Sequence, residues 1–297
     1  YTINSSISFE TRLPRGLFVS ASYDFVRGLH LYRSRNINAP LPGETERLDP
    51  SRGNILLLES SASSRYHDLS FRVNQRIGNA SVNFNYTLAS GHNDADGTFS
   101  LPANNYDLSG EWGRSGEDQR HSVFGGFNFQ LPWRITANTR LRANSGRPFN
   151  ITTGQDDNND SNTNDRPIGV ARNTGEGPGA FTMDLSFRKT FSLKRGNSTQ
   201  AGNAPAGATR FQQGPGDWRG PGGPGGPFPG GPGGGPGGGQ GNRERRGLEM
   251  SVTANISNLL NHTNFSRYSG VMTSPFFGRA NSARAPREIE LGVQFSF

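Results

Sequence analysis

The stretch Arg287-Glu-Ile-Glu-Leu-Gly-Val-Gln-Phe-Ser-Phe297 decides the fold. Ile289, Leu291, Val293, Phe295 and Phe297 alternate strictly with Glu288, Glu290, Gly292, Gln294 and Ser296. Successive strand side chains point to opposite faces, so this spacing predicts a strand with one apolar and one polar face. A tilted strand of about 9–11 residues crosses a bilayer, which is the length of this stretch. An alternating strand that stops on phenylalanine is the pattern of the last strand of an outer-membrane barrel. Phe295 and Phe297 are then the expected assembly signal for barrel-assembly machinery.

Eight upstream segments share the pattern. Ile3, Ser5, Ile7, Phe9 and Leu13 mark the first, and Leu17, Val19, Ala21, Tyr23 and Phe25 the second, with Leu29 and Leu31 as candidates to continue it. Leu69, Phe71, Val73 and Ile77 mark the third; Val82, Phe84, Tyr86 and Leu88 the fourth. Val123, Phe127, Phe129 and Leu131 make the fifth, and Ile135, Ala137, Leu141 and Ala143 the sixth. Phe181, Met183, Leu185, Phe187, Phe191 and Leu193 make the seventh; Leu248, Met250, Val252, Ala254 and Ile256 the eighth. Short turns at 13–16, 78–79 and 131–133 alternate with long polar loops at 34–63, 91–118, 149–179 and 261–286. Short periplasmic turns and long extracellular loops characterise outer-membrane barrels. Residues 195–246, rich in glycine and proline, stand where another short turn is due. They read as a flexible periplasmic insertion, since such a composition buries too little apolar surface to offset its ordering entropy.

The expected fold class is therefore all-β, an antiparallel transmembrane β-barrel. With the C-terminus periplasmic, nine crossings start the first strand outside the cell. Bacterial single-chain barrels have even strand counts, so residues 1–297 read as the last nine strands of a larger barrel. Composition agrees. Only 31% of the residues are apolar by the AVILMFWYC count, against about 45–50% with glycine included in ordinary domains. A barrel with a polar interior needs apolar residues on one face only. No apolar run reaches the roughly 18 residues of a membrane helix. There is no cysteine, which excludes disulfides and thiolate chemistry. The net charge of +7 raises nucleic acid as a partner. The arginines are scattered singly along alternating segments, however, so no nucleic-acid partner is expected.

The same register assigns a lumenal wall. Arg72, Arg76, Arg134, Arg140, Arg142 and Arg188 fall on its polar side, with Asp184, Glu288 and Glu290. They form either a solvated wall or a contact for a plug or an anionic ligand. Lys189 falls on the lipid side near a strand end, where its stem can lie along apolar surface. Asp156, Asn158 and Asp160 have the one-three-five spacing of a calcium loop, making calcium the one candidate cofactor. Ser161 and Pro167 stand where such a loop needs glycine and glutamate, so a turn-rich surface loop is the alternative. The five histidines sit in no catalytic motif. Asp118 and His121 are the only candidate pair, and no enzyme activity is expected.

From Ser64 onward the chain resembles the C-terminal barrel of Oar-like TonB-dependent receptors, which carry a carboxypeptidase-regulatory-like domain. The resemblance lies in Asp118-Gln-Arg-His121, Ser145-Gly-Arg-Pro-Phe-Asn-Ile-Thr-Thr-Gly154 and Asn164-Asp-Arg-Pro167. Ile256-Ser-Asn-Leu-Leu-Asn-His-Thr-Asn-Phe265, Phe277-Gly-Arg279 and the terminal strand complete it. The Gly/Pro tract departs from that family. The resemblance implies a 22-stranded barrel closed by an N-terminal plug domain and energised by the TonB complex. It implies an outer-membrane, lipid-embedded receptor that moves a ligand inward. The alternative is a structural or adhesive barrel that binds a surface partner without transport.

Overall fold

The computed structural model describes residues 1–192 and 248–296. Nine strands form one antiparallel meander: β1 (Thr2–Leu13), β2 (Leu17–Asn36), β3 (Leu56–Ile77), β4 (Ala80–Asn93), β5 (His121–Leu131), β6 (Ile135–Asn144), β7 (Ala180–Ser192), β8 (Glu249–Ser257) and β9 (Glu288–Ser296). Each pairs with its neighbour in sequence, and a two-residue strand, Gly113–Arg114, adds to the end of β4. All nine alternating segments are strands. There is no α-helix among the described residues. Residues 195–246, with the expected insertion, lie outside the described residues, as do Leu193 and Phe297.

The register carries both faces across the sheet without a slip of parity from β3 to β9. Phe129, Ala137, Phe187, Ala254 and Leu291 stand opposite one another in turn. One residue away, Asn128, Asn138, Ser186, Asn255 and Glu290 do the same. A one-residue slip would move every apolar side chain to the polar face, so the alternation itself specifies the pairing. The only buried apolar residues among those described are Ala39, Ala62, Ala89 and Ala137. The large apolar side chains point outward instead: Ile7 is 71% exposed and Leu291 80%. That is the inverse of a water-soluble sheet and the expected pattern of one that faces hydrocarbon.

The short connections are built by left-handed residues. Arg15 has φ 64° beside Gly16 at φ 73°, and Trp133 and Arg134 have φ 61° and 59°. Arg134, expected on the strand wall, thus belongs to the tight turn Pro132–Arg134 at the short-turn end. Proline sets the turn's first φ, and the backbone must then reverse within three residues. Trp133 is 80% exposed there, at the level of an interfacial aromatic girdle. Lys189 lies as expected near this end, its amine 4.9 Å from the Phe191 ring.

At the other end β2 and β3 run further than their alternation. The apolar pattern is interrupted at Arg27 and ends at Leu31, yet pairing continues to Asn36 opposite Leu56, past irregularities between Gly28 and Tyr32. Backbone hydrogen bonds continue a hairpin after one face no longer meets lipid. The long loops are folded as well. Pro148–Phe149 pairs with Gly175–Glu176, and Phe265–Tyr268 with Ala280–Ala283. A bridge joins Thr152 to Val271. Backbones cross closely here: a Cβ on Gly146 would collide with the Gly177 carbonyl, and one on Gly270 with that of Asn150.

Candidate lumenal wall and extracellular cap

Five of the six expected wall arginines lie on the polar face. Arg72 stands between Ser20 and Asn85, and Arg76 opposite Ser81 near the short turns. Arg140 stands opposite Asp184, and Arg188 between Thr136 and Thr253. Arg142 lies opposite Thr182 and Phe124, its guanidinium 6.0 Å from the Phe124 ring. They do not converge on one point, because β4 and β5 lie between β3 and the β6–β7 pair. Arg142 alone enters a recess of about 280 Å³ under the loop-side end of β6, β7 and β8. Asn144, Thr182, Asp184, Asn258 and Arg284 complete its polar lining. The backbone N–H of Asn258 donates to Asp184 Oδ1 at 3.0 Å, which fixes that carboxylate. Among the described residues neither Arg142 nor Arg284 has an ion-pair partner. Two guanidiniums with free donors can therefore hold a carboxylate or another anionic group.

Arg284 and Asn258 were not among the residues expected for the site. Both stand in the 258–287 connection, and only its fold brings them over the wall. The stretch Ile256-Ser-Asn258 carried the one available signal, as part of the family resemblance.

Above the wall the long loops form a cap tied by buried polar side chains. Asn36, Asn38, Asn93 and Asn264 are almost fully buried. Asn38 accepts from the backbone N–H of Asp49 and donates to the carbonyl of Gly53 at 2.8 Å, closing the 37–55 loop on itself. Arg166 pairs with Glu111 at 2.7 Å, both nearly buried, which ties the 145–179 loop to the 94–120 loop. Arg172 donates to the carbonyl of Asn93 at 2.6 Å and lies 3.6 Å from Asp96. Arg33, from β2, lies 3.9 Å from Asp94. These three pairs surround a cavity of about 30 Å³. Nε of Arg33 and of Arg172 finds no acceptor in the protein. A space of that size and polarity suits one or two waters, which would satisfy such donors. Burial pulls the Arg172 pKa down, opposed by Asp96 and Glu111. Three cations face three carboxylates, so the cavity is a neutral tie between loops.

The Asp156–Asp160 turn spends its oxygens internally. Asp156 Oδ1 and Asn158 Oδ1 accept from the backbone N–H of Asp160, and Asp156 Oδ2 from that of Ser161. Asp160 Oδ2 accepts from Asn105 at 2.6 Å. Among the described residues no group of three or more His, Asp or Glu is placed to hold a metal ion. The candidate Asp118–His121 pair has other partners for both residues. Asp118 is engaged by Arg114 Nε at 2.9 Å and the Gly91 N–H, whereas His121 Nδ1 lies 2.8 Å from the Tyr86 hydroxyl. Phe295 sits on the apolar face opposite Met250 and is 58% exposed.

A family model described as an outer membrane beta barrel domain matches residues 1–216. No curated protein is matched. Among solved structures the chain resembles the outer membrane transporter YddB from Escherichia coli, at 10% identity and TM-score 0.55, covering 98% of this chain and 32% of that one. It also resembles the FrpB iron transporter from Neisseria meningitidis, at 12% identity and TM-score 0.48, covering 98% and 30%. The chain thus spans about a third of the length of these transporters.

Proposed function

The chain belongs to the outer membrane beta-barrel domain family, and from that premise we propose that it is the C-terminal part of a transporter barrel. Its place is the bacterial outer membrane. The observation that carries the proposal is the two-faced register, which keeps its parity from β3 to β9. Its outward face suits lipid, and its inner face bears Arg72, Arg76, Arg140, Arg142 and Arg188 at intervals around a wide wall. Among the described residues β1 and β9 pair on one side only. Unpaired strand edges are not tolerated in hydrocarbon, so further strands close the barrel, 22 in all on the Oar-like resemblance.

In this reading a plug domain fills the lumen and the TonB complex drives its rearrangement. The lumenal arginines hold the plug's acidic groups or guide an anionic ligand. The recess at Arg142 and Arg284 takes one such group, and the 149–179 loop forms part of the outer binding surface. The ordered cap also favours a second reading, a barrel that presents a rigid adhesive surface without transport.

Peptide mapping of the protein extracted from its membrane separates the two, together with single-channel conductance. Plug and TonB-box peptides with low basal conductance support transport. Their absence overturns it in favour of the adhesive barrel, and a steadily open channel overturns it in favour of a porin.

A further inference from the structure

On the lipid-facing side, just above the apolar band, the register places cations beside one another. Arg27 stands opposite Arg65, Arg65 opposite His92, and His92 opposite Arg114. Neighbouring strands lie about 4.8 Å apart, so the row is a strip about 14 Å long. Like charges directly opposite one another destabilise a sheet. Arg114 is neutralised by Asp118 at 2.9 Å. Arg27 and Arg65 are exposed and, among the described residues, have no ion-pair partner. Trp112 backs the row, its ring 5.8 Å from the Arg65 guanidinium and stacked on His92 at 6.2 Å.

Directly below lies an aromatic belt. Phe25 packs on His67 with ring centroids 4.8 Å apart, and the Tyr23 hydroxyl lies 2.7 Å from His67 Nδ1. Tyr86 and His121 repeat that pair two strands on. Ile7 and Phe71 stand on the same face opposite Tyr23 and Tyr86, and Phe9 and Phe84 follow beneath them. Aromatic rings mark the level of the headgroups and the apolar rows the level of the acyl chains. The free arginines therefore stand where headgroup phosphates lie. The long-loop end of the barrel faces the outer leaflet.

We propose that Arg27, Arg65 and Trp112 form a binding site for the phosphate of an anionic glycolipid of the outer leaflet, whose acyl chains lie along the belt below. The phosphate bridges the two arginines and cancels their repulsion. Charge-assisted bonds from guanidiniums to phosphate are the strong kind. The site rests on the membrane orientation and is independent of whether the barrel transports anything.

The test uses the intact protein, delipidated in detergent and titrated with bisphosphorylated lipid A, with adducts counted by native mass spectrometry. The double variant Arg27→Ala/Arg65→Ala is expected to bind about tenfold more weakly, on the scale of the charge-assisted bonds lost. Arg27→Lys/Arg65→Lys should recover part of the affinity. Arg12→Ala, which removes a cation from the polar face, should match the parent, and heat-modifiable mobility on gels reports folding of each. Dephosphorylated lipid A should bind the parent as weakly as lipid A binds the alanine variant. Unchanged binding by folded Arg27→Ala/Arg65→Ala overturns the proposal, as does equal binding of the dephosphorylated lipid. Competition by inorganic phosphate at concentrations equal to the lipid would overturn the lipid assignment. If the alanine variant does not fold, the lysine variant decides: affinity equal to the parent's for both lipid forms refutes the site.

Discussion

Phe187 and Ser186 are adjacent on β7, at one depth, and face opposite ways. Phe187 lies in the lipid-facing row between Ala137 and Ala254, and Ser186 in the polar row between Asn138 and Asn255. Replacing each in turn by arginine tests the face assignment while holding strand, depth and introduced charge constant. Near the middle of the lipid face an arginine costs about 2–4 kcal/mol, falling toward zero at the interfaces. At about 1.4 kcal/mol per factor of ten, that lowers the folding constant of Phe187→Arg by about 30-fold to nearly 1000-fold. Ser186→Arg enters a polar wall where neighbouring asparagines can accept from it, and surface changes of that kind stay within about 0.5 kcal/mol. The assay is reversible urea unfolding of the intact protein in phospholipid vesicles, followed by tryptophan fluorescence and gel mobility. Equal losses for the two variants, or a larger loss for Ser186→Arg, would refute the register-based reading of the two faces. Lys189, two residues further along, shows why depth matters: it occupies the same face but lies toward the turn, where its amine can reach water.

Arg166→Ala leaves the Glu111 carboxylate buried and uncompensated. Breaking a buried pair costs about 3–5 kcal/mol, so hydrogen exchange in the 94–120 and 145–179 loops should accelerate together while the strands stay protected. Unchanged exchange in both loops would show that the pair does not tie them. Burial, and then the neighbouring Asp160, Asp157 and Asp156, raise the Asp165 pKa. The folded loop binds that proton more tightly than the unfolded loop, so its stability declines as the pH rises from the ordinary carboxylate range through the folded value. Asp165→Asn should remove this slope from hydrogen exchange over residues 153–165, once corrected for intrinsic rates; a variant with the parental slope places it elsewhere. Deleting Phe297 should lower the yield of folded, heat-modifiable barrel in outer membranes, and an unchanged yield would remove the residue from the assembly signal.

Period-two alternation is a local property, and a bilayer enforces it residue by residue. All nine crossing strands could therefore be read from Ile3 to Phe295, as could the short turns and the polar-face placement of Arg72, Arg76, Arg140, Arg142 and Arg188. The place of Arg134 in a turn has the same root. A turn residue next to a strand keeps the strand's parity in the sequence, although its positive φ places it in the turn and outside the strand. The reach of β2 past Leu31 and of β3 back to Leu56 was hidden because hairpin pairing outside the membrane needs no apolar face.

Which residues meet across the loops was decided only by the tertiary structure. Arg166 meets Glu111, Arg172 meets Asn93 and Arg33 meets Asp94 through contacts far apart in the chain. No periodicity encodes such pairs, since they follow from where each loop lands after the strands have paired. The same holds for the recess that joins Arg142 to Arg284, and for the Arg27–Arg65 row. Each strand's faces follow from its own alternation, but its neighbours across the sheet follow from register, a property of two segments at once.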